Sequence, residues 1–212
     1  MVDRIHQQRE KTRRGVGFSW LVLTFVVVAA SLPLRAQFLM RQVNLAYLAR
    51  RADVVVQGRV ANVRYEGLPG YPNIPTVVVT LQVERMLRGP GGTHYTFRQW
   101  ISSPRELGGK RGYLVGQRLL LFMPLASRAG LSSPLGLEQG RFKIGPDARG
   151  QETIANGYGN AGLFKNVPEA AEKAGAGLTE KELHTASTPS GPVPLEDFVE
   201  LVEHLKQLPR IQ

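Results

Sequence analysis

The sequence predicts a mainly β protein, a small antiparallel β-barrel with a short N-terminal helix and C-terminal α-helices. Between about residues 53 and 144, short segments alternate apolar and polar side chains, which is the period of a half-buried strand. Glycine- and proline-rich turns separate these segments. Helical spacing of apolar residues occurs before and after this region, so the helices are expected to flank the strands.

Residues 1–36 are expected to be a signal peptide or signal anchor, outside the folded domain. Five Lys and Arg within residues 1–14 precede the apolar stretch 18–30, which is the order of a secretory signal. Cleavage after Ala36 or Ala30 fits this pattern. Residues 15–34 carry no charge and are also long enough to anchor the chain in the inner membrane uncleaved. Both alternatives predict an exported protein, periplasmic or extracellular.

The rest of the chain divides into a β-barrel domain at residues 37–164 and a helical acidic tail at residues 165–212, with a linker at 186–194. Residues 37–150 hold 16 Lys and Arg against 6 Asp and Glu, whereas residues 151–212 hold 5 against 9. The basic body favours anionic partners. Cysteine is absent from the sequence, so disulfides and thiolate metal sites are excluded.

The elements follow from the patterning in order along the chain. A helix is predicted at residues 43–51, and proline-rich residues 66–75 and glycine-rich residues 102–117 are expected to be loops. Strands are predicted at residues 53–65, 76–87, 93–100, 118–123, 136–138, 141–144 and 151–155. Helices are predicted at residues 168–175, 178–185 and 195–208. The last helix carries an apolar stripe that docks either on the barrel or on a second protein.

Three of these segments share a pattern with a known family. The first is the run ADVVVQGRV at residues 52–60, which begins at Ala52, and the second is LRGP at residues 87–90. The third is GYL at residues 112–114 together with residues 116–122. Over roughly residues 43–145 this arrangement resembles the netrin-like domains and the N-terminal domain of the tissue inhibitors of metalloproteinases. The resemblance implies a five-stranded OB-type barrel, hence an OB-like barrel here. It does not carry over protease inhibition, because that family uses a disulfide-locked N-terminal cysteine.

The sequence predicts no catalytic residue, metal site or cofactor. The four histidines lie in separate segments without metal-ligand spacing: His6, His94, His184 and His204. Residues 157–162 match the letters G-x-G-x-x-G, but the antiparallel context predicts a flexible loop and not a phosphate site. Ser132 and Ser133 lie in a Pro/Gly-rich turn outside any nucleophile motif.

The candidate ligand surface lies on the strand at residues 93–100. Period-2 alternation places His94, Arg98 and Trp100 on one face, opposite Tyr95 and Phe97. An Arg beside a Trp on an OB-type sheet suits an anionic or aromatic ligand. The alternative is that Arg98 faces solvent and Trp100 covers the barrel end.

These patterns predict an exported, non-enzymatic binding or interaction module that faces the envelope. They do not identify its ligand. A protein-binding, inhibitor-like module and a hydrolase with a dispersed site at His94 and Ser132 or Ser133 are the alternatives. The expected partners are an envelope protein or an anionic lipid or glycan, and the membrane itself if the N-terminal segment is uncleaved. Export disfavours nucleic acid as the ligand.

Overall fold

A computed structural model describes residues 42–102 and 112–211 and gives a mainly β fold with four helices. The predicted signal or anchor, including residues 15–34 and His6, lies outside the described residues. The helices are α1 (Leu45–Arg51), α2 (Val167–Lys173), α3 (Glu180–Ala186) and α4 (Leu195–Leu205). The strands are β1 (Val54–Leu68), β2 (Tyr71–Arg88), β3 (His94–Trp100), β4 (Arg118–Met123), β5 (Arg141–Pro146), β6 (Glu152–Asn156) and β7 (Val193–Pro194).

The strands form one seven-stranded antiparallel sheet in the order β3-β2-β1-β4-β5-β6-β7. The mainly β, antiparallel character predicted from the sequence is confirmed. β3 and β7 are the two edges, and in the described part of the chain no ladder joins them. Closure into an OB-like barrel therefore stays a prediction.

The predicted loop at residues 66–75 is wrong, because β1 and β2 continue through it as a hairpin with a tight turn at residues 69–70. Pro75 pairs with Gly67, and its carbonyl accepts from the backbone N–H of Ile101. In an antiparallel strand a residue directs its N–H and C=O to the same side. The missing N–H of Pro75 therefore faces the β3 side, and the β1–β2 ladder loses no donor there.

A second prediction is also wrong, since the expected strand at residues 136–138 is replaced by a 3-10 turn at Leu137–Gln139. Gly136 precedes that turn with a φ of 61°, a left-handed conformation that favours glycine. A left-handed residue cannot extend a strand, so the chain turns here before β5 begins.

The sheet packs two apolar clusters, one on each face. The helix-side cluster joins the helices to one sheet face through side chains such as Leu48, Phe122, Phe142 and Phe198. The inner cluster lies on the opposite face and includes Val56, Val79, Phe97, Tyr113 and Leu121. The apolar stripe of α4 is buried in the helix-side cluster, which confirms that the last helix docks on the sheet.

Arg88 connects the ends of two helices to the sheet. Its guanidinium donates to the backbone carbonyl of Ala52 at 2.9 Å and to those of Ala49 and Lys206. Ala49 and Ala52 lie at the C-terminal end of α1, and Lys206 follows α4. Carbonyls at helix ends lack intrahelical donors, so this one side chain satisfies groups from both helices. Burial lowers the pKa of Arg88.

Gly58 occupies a crowded position in β1. The β1–β2 register shifts between Gln57 and Gly58, which marks a bulge or irregularity in the ladder at this glycine. A Cβ added to Gly58 would lie 2.4 Å from the carbonyl oxygen of Gln82. The close approach of the two backbones therefore depends on glycine.

Candidate functional site

The ligand surface predicted from the sequence is only partly open. His94 and Trp100 are exposed on β3, Trp100 by 53%. Arg98 donates to the hydroxyl of Thr76 at 2.9 Å and forms an ion pair with Glu66, which leaves 18% of its side chain exposed. An anion at Arg98 must compete with the Glu66 carboxylate. The three predicted residues share a strand, but they do not form an unpaired cationic site.

The backbone of β3 offers a different kind of site at the sheet edge. The carbonyl of Thr93 accepts from Val83, and the N–H of Ile101 donates to Pro75. Odd-numbered residues of this segment therefore direct their backbone groups to β2. Because successive residues direct their backbone groups to alternate sides of a strand, the N–H and C=O groups of even-numbered residues point away from the sheet.

Thr96 is the central open position on that edge among the described residues, with His94 before it and Trp100 after it. The loop that follows β4 reaches the edge at one point, where the N–H of Ser132 donates to the carbonyl of Arg98 at 2.8 Å. Two residues earlier, the outward N–H and C=O of the exposed Thr96 have no backbone partner among the described residues. Unpaired strand groups of this kind are a template for an added strand.

A groove of about 360 Å³ runs beside this position, between β3 and the loop at residues 124–132. Its apolar lining includes Val54, Tyr95, Phe97, Pro124 and Leu125. Leu125 is 70% exposed, so the groove has an accessible apolar wall. Burial raises the pKa of Tyr95 to about 12, which keeps its phenol neutral at physiological pH.

Asp53 anchors the loop that forms the far wall. Its carboxylate accepts from the N–H of Leu125 at 2.9 Å and pairs with Arg210 at 2.6 Å. Burial acts to raise the pKa of Asp53, but the Leu125 N–H and the Arg210 guanidinium outweigh it and lower the pKa. The carboxylate is therefore ionised at neutral pH and fixes the wall close to the start of β1.

The other predicted residues that the structure describes have local partners of their own. Within residues 42–102 and 112–211, no group of three His, Asp or Glu side chains has the arrangement of a metal site. His94 lies 3.0 Å from the Thr93 hydroxyl, and His204 pairs with Glu182. The hydroxyl of Ser132 donates to the carbonyl of Pro124 at 3.0 Å, so its hydrogen-bond partner is not a histidine.

The glycine-rich loop at residues 157–162 connects β6 to α2 in an antiparallel sheet, which is not the context of a phosphate-binding motif. Asn160 is fully buried there with a φ of 59°. Its side chain accepts from the N–H of Asn156 and donates to the carbonyls of Ile154 and Gly191. These bonds tie the loop to its neighbours.

Much of the body's positive charge is neutralised by nearby carboxylates. Six of its arginines pair with acidic side chains: Arg59, Arg64, Arg85, Arg98, Arg118 and Arg141. The single carboxylate of Glu84 contacts both Arg59 and Arg118. The net charge of the sequence therefore overstates the charge available to an anionic partner. Among the described helices, none combines the length and apolar character needed to cross a bilayer.

Sequence patterning did not reveal the free edge or the groove. Alternation indicates which face a side chain takes, but not which strand lies beside it. Pro124 marks the end of β4 in the sequence, yet nothing in the pattern places the following loop against β3. Comparison of the sequence with protein-family models and with curated proteins finds no match.

Proposed function

We propose that this chain is an exported interaction module that binds an extended segment of a partner protein along the free edge of β3. The observation that carries the proposal is the outward backbone of Thr96, which no described backbone group pairs with, beside an apolar groove. Strand addition gives affinity through main-chain hydrogen bonds and specificity through pockets for alternate side chains. β3 provides outward backbone groups and an adjacent apolar groove within one short segment.

The chemistry of the two sheet edges supports this choice. β7 is two residues long and contains Pro194, so it offers little to an added strand. β3 is seven residues long and contains neither Pro nor Lys, two residues that commonly block edges. Of the two edges, β3 is therefore the one suited to a partner.

We also propose that β1 to β5 form the OB-like barrel expected from the netrin-like resemblance. Their order, β3-β2-β1-β4-β5, leaves β3 and β5 on the two sides of the opening of a partly open barrel, which we propose is bridged by side chains, so that the backbone edge of β3 stays free for a partner. Tyr113 supports closure because its hydroxyl donates to Gln99 of β3 at 2.9 Å and its ring lies 4.7 Å from the guanidinium of Arg141 in β5. An interaction module of this kind agrees with the protein-binding alternative that the resemblance suggests.

Export rests on the order of charge and apolar residues in residues 1–36 and is part of the proposal. The N-terminal residue of the protein purified from its host tests it. A new N-terminus after Ala30 or Ala36 in a protein recovered outside the cytoplasm supports cleavage, and an intact N-terminus in a membrane fraction supports the anchor. An intact chain in the cytosol contradicts export. Binding of anionic lipid or glycan stays a prediction.

The binding proposal is tested with a phage-displayed library of random heptapeptides selected on the purified protein. Synthetic peptides of the enriched sequences are then titrated into the wild type, Thr96→Ala and Thr96→Pro. Proline removes the outward N–H and places its ring on the edge without removing a donor to β2. Alanine keeps the N–H and is the matched control, because both variants lose the 3.0 Å contact with the Thr80 hydroxyl.

We expect Thr96→Pro to weaken binding about tenfold or more, the effect of one lost backbone hydrogen bond plus obstruction. Thr96→Ala should stay within about threefold of the wild type. Circular dichroism and thermal melting confirm that the variants are folded. Equal binding by Thr96→Pro and the wild type, or a library that enriches no sequence, contradicts the proposal.

A further inference from the structure

We infer that two copies of this chain pair through the outer stretch of β1, residues 62–67, as antiparallel strands related by a two-fold axis at Tyr65. The inference goes beyond the proposed function, because it concerns a different strand and a different partner. It follows from backbone groups that β1 directs away from β2 and from the order of the charges beside them.

β1 is paired on both sides over only part of its length. Its ladder with β4 covers residues 54–59, and beyond it the N–H of Val60 donates to the carbonyl of Gln117. A bulge between Val60 and Asn62 then reverses which residues face that side. The ladder with β2 continues to the hairpin turn. Within the described part of the chain, the outer stretch is therefore paired on one side alone.

The ladders fix which residues of the outer stretch point to the open side. In β2, odd-numbered residues such as Val83 direct their backbone groups to β3, so even-numbered residues direct theirs to β1. Val78 lies opposite Arg64, so the even-numbered residues of the outer stretch face β2. Val63 and Tyr65 therefore direct their N–H and C=O groups to the open side, where no described backbone group pairs with them.

The charges on the outer stretch are self-complementary in one register. Arg64 and Glu66 lie on the same face, and their side chains are 60% and 40% exposed. When two copies pair antiparallel about Tyr65, Arg64 of each lies directly opposite Glu66 of the other, which forms two ion pairs. A register centred on Arg64 places like charges opposite each other and is disfavoured. A second copy of the chain therefore suits this edge.

The contacts within one copy leave both side chains able to take a partner. The Nε of Arg64 lies 3.9 Å from the Oε2 of Glu66, which is beyond the range of a hydrogen bond. The Oε1 of Glu66 accepts from Arg98. Arg64 of a second copy can therefore donate to the oxygen that Arg98 does not use.

The opposite face gains apolar burial from the same register. Val63 and Tyr65 lie opposite Val79 and Val77 of β2, which belong to the inner cluster. Tyr65 is 49% exposed. In the paired strands the two Tyr65 residues are directly opposed, and Val63 meets Gly67 of the other copy, which has no side chain. Pairing therefore covers apolar area that water now contacts.

Sedimentation velocity of the protein purified from its host tests the charge pairing. We expect a monomer–dimer equilibrium between about 1 and 200 μM. Arg64→Glu and Glu66→Arg each place like charges at both cross-strand positions, so each should raise the dissociation constant about tenfold or more. Arg149→Glu makes the same change of charge in the exposed turn at residues 147–150 and should change it by less than about twofold.

An equimolar mixture of Arg64→Glu and Glu66→Arg makes the test specific. The acidic stretch of one variant then faces the basic stretch of the other, so the mixture should form a heterodimer about as tight as the wild-type dimer. Recovery in the mixture also shows that both variants are folded.

Disulfide crosslinking tests the register, because the chain contains no cysteine of its own. Tyr65→Cys places two thiols directly opposite each other, with Cα atoms about 5.5 Å apart, a distance that a disulfide spans. Tyr71 lies opposite Leu68, so its two copies are separated by about 20 Å along the strands. With copper phenanthroline as oxidant, Tyr65→Cys should form a covalent dimer and the control Tyr71→Cys should not.

Four outcomes overturn the inference. They are a wild type that stays monomeric throughout the range, single variants that dimerise as the wild type does, a mixture that forms no heterodimer, and equal crosslinking by the two cysteine variants. Thr96→Pro separates the two edges, since it should leave the dimer unchanged. A dimer that Thr96→Pro abolishes assigns self-association to β3 and overturns the role of β1.

Discussion

Glu182 is a buried carboxylate that joins α3 to α4, and replacing it with Gln tests how the C-terminal helices are held. One of its oxygens accepts from the N–H of Thr179 at 2.8 Å and from the Thr179 hydroxyl at 3.0 Å. The N–H of Glu182 donates to the Thr179 hydroxyl at 3.3 Å, which completes a capping box at the start of α3. The His204 ring nitrogen Nδ1 lies 3.0 Å from both oxygens. Only 4% of the Glu182 side chain is exposed.

The magnitude follows from replacing an ionised acceptor with a neutral one. Hydrogen bonds to charged groups contribute about 1.5–3 kcal/mol each, against about 1 kcal/mol for neutral pairs. Glutamine keeps one acceptor oxygen for the Thr179 N–H but loses the charge that faces His204. We therefore expect Glu182→Gln to lower the free energy of unfolding by about 1–2 kcal/mol at pH 7, or the melting temperature by about 2–8 °C for a chain of this size.

The effect should also depend on pH. Burial acts to raise the pKa of Glu182, but the Thr179 N–H and the His204 ring outweigh it and hold the pKa below its ordinary value of 4.5. A carboxyl group with a lowered folded pKa stabilises the fold above its unfolded pKa and loses that contribution as pH falls through the folded value. The difference between the wild type and Glu182→Gln should therefore shrink only once the pH falls below about the ordinary pKa of 4.5, toward the lowered folded pKa.

Urea denaturation followed by circular dichroism at pH 7, 5 and 3.5 measures these differences. Glu180→Gln is the control, since Glu180 lies in the same first turn but is exposed, and it should change stability by less than about 0.5 kcal/mol. An equal loss in Glu180→Gln, or a difference at Glu182 that is independent of pH, would refute the reasoning.

Two further substitutions test contacts elsewhere in the fold by the same unfolding assay. Gly58→Ala should lower the free energy of unfolding by about 1–3 kcal/mol, because the added Cβ meets the Gln82 carbonyl. Gly145→Ala is the control: its added Cβ meets no atom within 4 Å, so the free energy of unfolding should change by less than about 0.5 kcal/mol. Equal losses in the two variants would count against the explanation. Arg88→Met should cost about 2–3 kcal/mol by leaving helix-end carbonyls without their donor. Arg85→Met removes only an exposed ion pair, so a loss as large as that at Arg88 would contradict the role of the helix ends.

Strands with a strong local pattern were predicted correctly. Residues 118–123 form β4 with the predicted bounds, because a continuous apolar run suits a strand that is covered on both faces. The prolines near residue 72 were misleading. Their effect depends on whether the missing N–H points into a ladder, and that depends on the neighbouring strand.

The candidate site was likewise predicted only in part from the sequence. Alternation along residues 93–100 placed Tyr95 and Phe97 opposite His94 and Arg98, and the two aromatic residues do belong to the inner cluster. Alternation did not pair Arg98 with Glu66, which lies 32 residues earlier in the chain. That contact forms because β2 aligns β1 and β3 on either side of it.

By itself the sequence determined the strand periods, the apolar stripe of the last helix and the absence of thiol chemistry, since each depends on residues close together in the chain or on composition. Only the tertiary structure decided that β3 is an edge, that the outward backbone groups of Thr96 have no backbone partner within the described residues, and that Leu125 lies across the groove. These are relations between segments far apart in sequence. They depend on strand order and loop placement, which local periodicity does not encode.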